Sequence, residues 1–306
     1  MSTTENGDTV AGLPVFFSGD LSPQRASLYA RWDDLPGGQD WTVRGTLRGP
    51  HCRLARTLPV TVAFQDLGAG PTLLARAVLT DPCYWSSELP ACYLAVLELR
   101  REGEVVQQLE QPIGIRDLEI RGRNLYWAGQ RWVLRGVHQE LAPDEPLASW
   151  RELAAAMVVR DPSDELCREA SAEGVPLVVP MTGGEVDAIR QLRRLGRWPA
   201  VLMAVFDPPL RHPLIWKRAA PQVWLASSYA AGELSGEGST PDIEIWPVER
   251  LRSGTSAIDG RPVPVMAWGP TTAASNLAVA RLACDALQRE LAPANHAGYL
   301  VSLAPA

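Results

Sequence analysis

The side chains able to do chemistry gather at the ends of short apolar runs. The segment WPAVLMAVFDPP, residues 198–209, closes such a run on Asp207, followed by Pro208 and Pro209. Asp207 is either an acid left at a strand end or a turn cap, because Asp before Pro starts turns. The run MVVRDP ends in the same way, on Arg160 and Asp161. His138, Gln139 and Glu140 end the run WVLRGV, and Glu140 is a catalytic acid or a solvated loop carboxylate. Glu244 lies between Ile243 and Ile245. It either points into a barrel and pairs with an arginine such as Arg160, or sits between a sheet and its helices. Carboxylates at such ends suit general acid–base work. Trp224, Trp246 and Trp268 are aromatic faces that could stack on sugars, or core residues.

Other chemistries lack their signatures. There is no GxSxG elbow and no GxGxxG or phosphate-binding loop. The five cysteines, Cys52, Cys83, Cys92, Cys167 and Cys284, form no CxxC pair. They read as buried reduced thiols, so no metal and no cofactor is expected.

Elements that position these residues follow from periodicity. Residues 13–120 carry short alternating runs such as SLYARW, LPVTVAF and YLAVLELR between Gly/Pro turns, the pattern of an antiparallel β-sandwich. LELRREGEVVQQLE predicts a hairpin turning at Glu102-Gly103. After about residue 131 the runs become wholly apolar and alternate with helical stretches. The eight runs begin at Trp132, Ala156, Val175, Val201, Val223, Asp242, Val263 and Gly298. Fully apolar strands belong to parallel sheets buried on both faces, and eight repeats predict a closed (β/α)8 barrel spanning 121–306. From Trp132 only about 175 residues remain, against about 250 in a typical barrel, so the loops must be short and no helix is expected after the eighth strand. Ser163 or Asp161 is placed to cap the helix SDELCREASAEG, with Pro162 at its entry.

Composition narrows the partners. A net charge of −6 and a single lysine, Lys217, argue against nucleic acid. No run approaches the ~20 apolar residues of a membrane span, and MSTTENGDTVAG lacks a signal pattern. Residues 1–12 read as a flexible tail, and a cytoplasmic location is expected.

The junction between the two halves resembles glycoside hydrolase family 2, the β-galactosidase, β-glucuronidase and β-mannosidase group. Trp85 to Tyr93 is similar to that family's Trp-Ser-Pro-x-x-Pro-x-Leu-Tyr stretch. Gly114-Ile115-Arg116, Ala128-Gly129-Gln130 and Arg135-Gly136-Val137 resemble the Gly-Phe-Arg strand, the Asn-Gly-Lys turn and the first barrel strand that follow. The resemblance implies an immunoglobulin-like sandwich followed by a (β/α)8 barrel. It also implies positions for the two catalytic glutamates. The family's Asn-Glu pair falls on Pro208 and Pro209, the acid/base on Pro209. The nucleophile falls on Ala267 in RPVPVMAWG, and the sugar-stacking Trp on Val301.

Retaining glycoside hydrolysis needs two carboxylates about 5–5.5 Å apart; proline cannot move a proton and alanine cannot attack. The expectation is therefore a catalytically inactive barrel with a carbohydrate-binding or scaffolding role, whose rim would hold Arg160, Asp161, Asp207, His138, Glu140, Trp246 and Trp268. Its partner would be a carbohydrate or a protein. The alternatives are an active glycosidase using Asp207 with Glu140, Asp161 or Glu244, and a structural interaction protein with a plugged barrel.

Overall fold

The computed structural model describes residues 12–36, 40–69, 72–138, 145–207, 213–229, 240–253, 262–272 and 276–303. Eight strands build the sandwich: β1 (Val15–Ser22), β2 (Arg25–Trp32), β3 (Trp41–His51), β4 (Val60–Ala63), β5 (Gln65–Ala69), β6 (Leu73–Thr80), β7 (Cys92–Arg101) and β8 (Glu104–Ile113). They form two antiparallel sheets, ordered β1-β2-β6-β5 and β4-β3-β7-β8. Alternation drives the arrangement. Ala26, Leu28, Ala30 and Trp32 on β2 face Tyr93, Ala95, Leu97 and Leu99 on β7 in one buried core. The hairpin is as expected: Arg101 pairs with Glu104 across the two-residue turn Glu102-Gly103.

A small three-stranded sheet follows, β9 (Leu118–Arg121), β10 (Asn124–Trp127) and β11 (Gln130–Trp132). The barrel closes from β12 (Leu134–His138) through β13 (Ala156–Val158), β14 (Leu177–Pro180), β15 (Val201–Phe206), β16 (Trp224–Ser228), β17 (Ile243–Pro247), β18 (Val265–Thr272) and β19 (Gly298–Leu303), which pairs back onto β12. All pairings are parallel and in chain order. Each of the eight strands lies within one residue range read from the sequence, or overlaps it closely.

The outer layer holds α1 (Leu147–Glu152), α2 (Asp164–Glu173), α3 (Glu185–Gly196), α4 (Pro213–Ala219), α5 (Val248–Arg252) and α6 (Leu277–Glu290). Ser163 caps α2, its Oγ accepting from the Leu166 N–H at 3.1 Å. The long α6 packs on β12, β18 and β19. Arg135 of the first barrel strand fastens it, donating to Asp285 at 2.8 Å and to Gln288 at 2.7 Å.

Strand alternation splits the barrel core in two. An inner layer holds Leu134, Val158, Val178, Met203, Val205, Ala226, Ile245, Met266 and Leu300. Val137, Met157, Val179, Ala204, Leu225, Ala267, Tyr299 and Val301 pack outward against the helices. Gly136 faces inward where a Cβ would lie 2.5 Å from Leu300 Cδ2. A side chain at Gly136 would therefore have to displace the end of the Leu300 side chain and crowd Val158 in the packed interior.

The family-like junction is a docking device. The Trp85 indole is fully buried and donates to the Ser171 carbonyl on α2 at 2.7 Å. Its ring stacks on Trp127, centroids 5.7 Å apart, and Trp127 meets Trp132 edge-on at 4.8 Å. Arg116 reaches beneath the barrel and donates to the carbonyls of Pro199 (2.8 Å), Val201 (2.6 Å) and Gln222 (2.8 Å).

Candidate functional site

In a (β/α)8 barrel the side chains that reach a ligand stand at the C-terminal strand ends. Counting in twos from the inner layer gives those side chains directly. Val158 leads to Arg160, Val178 to Pro180, Val205 to Asp207, Ala226 to Ser228, Ile245 to Pro247, Met266 to Trp268 and Leu300 to Ser302. All seven line one cavity of about 640 Å³ at the barrel mouth, together with Met181, Thr182 and Glu249. Its floor is apolar, built from Val205 and Ile245. His138 has the same inward phase on β12. It is buried, and its ring centroid stands 6.0 Å from that of Trp268. The mouth thus holds one guanidinium, two carboxylates, three hydroxyls and an indole.

Two expected rim residues, Asp161 and Trp246, and the alternative catalytic partner Glu244 lie elsewhere, for the same reason of phase. Asp161 is one residue past Arg160 and turns outward, accepting from Gln191 and Arg194 of α3, both at 3.0 Å. Glu244 is buried between strand and helices, not inside the barrel, and accepts from the Trp246 indole N–H at 3.1 Å. Trp246 is itself 1% exposed, stacked on Tyr229 with centroids 4.6 Å apart. Its face is closed to any ligand. Glu140, Pro208 and Pro209 lie outside the described residues.

Phase also revises the nucleophile register. Ala267 pairs with Tyr299 and faces the helices, so a longer side chain there would run into the outer core. Val301, aligned with the sugar-stacking Trp, faces the same way. The inward neighbours on β18 are Met266 and Trp268. Strand seven therefore offers the mouth an indole, with Met266 buried in the inner layer, and no carboxylate among the described residues.

Glu249 escaped the sequence reading because it belongs to α5, which begins at Val248, the residue after strand six ends. Ser228 and Ser302 were missed as well; the signal that finds them is a hydroxyl two residues past an apolar inward position. Among the described residues no three His, Cys, Asp or Glu side chains could hold a metal ion, and no helix is long and apolar enough to cross a membrane.

The fold has close parallels among solved structures. A glycosyl hydrolase family 2 member from Bacteroides cellulosilyticus superposes with a TM-score of 0.62 at 12% identity, covering 95% of this chain and 43% of that one. A Parabacteroides merdae β-glucuronidase gives 0.58 at 13% identity over 96% of this chain and 47% of that one. A Bacteroides uniformis β-glucuronidase gives 0.59 at 14% identity over 94% and 45%. In sequence, a Klebsiella pneumoniae β-galactosidase is 38% identical over 61 residues, 20% of this chain and 6% of that protein. No family model matches the chain. This chain spans about half the length of the solved structures it matches. The sandwich and barrel read from the sequence are the architecture found, and the resemblance to glycoside hydrolase family 2 holds at the level of the fold.

Proposed function

We propose that this protein is a catalytically silent barrel of the family 2 glycosidase type that binds carbohydrate at its mouth. One observation carries the proposal: strand seven turns Met266 and Trp268 inward and Ala267 outward, so the strand aligned with the family's nucleophile supplies no carboxylate. Covalent catalysis has no attacking group there. What the strand supplies instead is an indole on an open cavity. Aromatic faces with adjacent hydroxyl and charged side chains suit a sugar, whose C–H face is apolar and whose rim is polar. A plugged barrel would leave no such cavity, which favours binding over a purely structural role.

Glycan-array binding tests this reading. The expected outcome is binding of one or more β-linked glycans that drops at least about tenfold in Trp268→Ala. An array without signal for the intact protein would remove the carbohydrate from the account.

A second reading has its own observation. Asp207 and Glu249 both line the cavity, one from the end of strand four and the other from the first turn of α5. They would serve as an acid/base pair in an enzyme with relocated carboxylates. That reading requires hydrolysis that disappears in Asp207→Asn or Glu249→Gln.

A further inference from the structure

Below the barrel, at the end opposite the mouth, Arg116 presents an unusual balance of charge. It is 5% exposed, and among the described residues its hydrogen-bond partners are three backbone carbonyls. Its Nε has no partner among the described residues. Buried charges are ordinarily paired with opposite ones, yet no carboxylate pairs with Arg116 among the described residues. Burial alone lowers its pKa, to about 10, with no acidic neighbour raising it. The adjacent Asp117 does not serve: its carboxyl is pushed above the usual range by burial and by Glu119, and Arg121 is the only cation that opposes this.

Arg116 also lines a cavity of about 330 Å³ where the sandwich, the three-stranded sheet and the barrel floor meet. The cavity's other charged groups, Lys217 and Asp242, neutralise each other across 2.5 Å. The lining therefore carries one net positive charge, that of Arg116. The remaining lining is mixed: Leu21, Leu118, Ile120, Pro221 and Trp224 supply an apolar side, and Ser18 and Gln222 add a hydroxyl and an amide. Each terminal guanidinium nitrogen has two hydrogens, and NH2 uses only one of them, toward the Gln222 carbonyl. Gln222 lines the same cavity.

We infer that this seam cavity is a binding site for a small organic monoanion, a carboxylate carried on an apolar or aromatic body. The carboxylate neutralises Arg116, and the body fills the space between Leu118, Ile120 and Trp224. The volume is at the lower end of small-molecule sites, which sets the ligand near the size of one substituted ring. Such a ligand would touch all three parts of the protein and hold them together. The site is independent of the barrel mouth and of what the mouth binds.

Calorimetric titration with benzoate, and with benzamide as its neutral isostere, tests the inference on the full chain. Benzoate is expected to bind at least about tenfold more tightly than benzamide. Leu21 is 39% exposed at the cavity's edge. Leu21→Asp therefore leaves the core intact while placing a like charge beside the ligand, and is expected to weaken benzoate at least about fivefold. Trp268→Ala, at the opposite end of the barrel, is expected to leave benzoate affinity unchanged. Equal binding of the two probes, no binding of either, indifference to Leu21→Asp, or loss in Trp268→Ala would each overturn it.

Discussion

Arg116 and His296 are buried side chains that each carry nitrogen atoms without a partner among the described residues. Arg116 holds three carbonyls at the start of strands four and five. Replacing it by methionine keeps the bulk and strands those acceptors, so Arg116→Met is expected to lose about 3 kcal/mol in denaturant unfolding. His296 precedes β19, is 4% exposed, and neither ring nitrogen has a partner among the described residues. Burial first, and Arg123 second, hold its pKa below the ordinary 6.5. The folded state therefore keeps the ring neutral at pH values where the unfolded chain protonates it. Its contribution is fully present above pH 6.5 and is lost as pH falls through the lowered folded value. Unfolding free energies at pH 7 and pH 5 should differ more in the natural protein than in His296→Gln.

Among the elements, the link between sandwich and barrel is narrow and tightly fitted. Gly174 ends α2 at φ 76°, and a Cβ there would meet the Ser87 carbonyl oxygen at 2.7 Å. Gly174→Ala thus adds left-handed backbone strain, about 1–2 kcal/mol, to a clash with backbone that cannot move without the Trp85 anchor. The expected result is a lower thermal midpoint with the barrel and sandwich still folded by circular dichroism. The strands themselves show what the sequence could and could not reveal. Mostly apolar runs marked the eight barrel strands, interrupted by Arg135 in the first and Glu244 in the sixth, because burial on both faces removes most polar residues from them. The same uniformity hid their phase: in VLMAVF nothing but packing tells which residues face inward. An error of one residue moves a side chain from mouth to outer core, which is what separated Asp161, Trp246 and Ala267 from Arg160 and Trp268. A hydroxyl or charge two residues past an inward apolar position is the signal that recovers the mouth.

For the whole molecule, the architecture was readable because period-2 and fully apolar patterns report burial, and the junction motifs report docking. Trp85, Arg116 and Arg135 carry the family-like sequence, and each fastens one part of the molecule to another. The resemblance therefore speaks for the fold, while function rests on the mouth. Glu249 shows why the mouth was harder to read: it comes from a connecting helix, where no periodicity marks it. The central claim, that this mouth binds without hydrolysing, meets its most direct test in turnover of 4-methylumbelliferyl β-galactoside and β-glucuronide by the purified protein beside Asp207→Asn and Glu249→Gln. The account predicts rates equal to buffer for all three proteins. Hydrolysis by the natural protein that vanishes in either variant would contradict it.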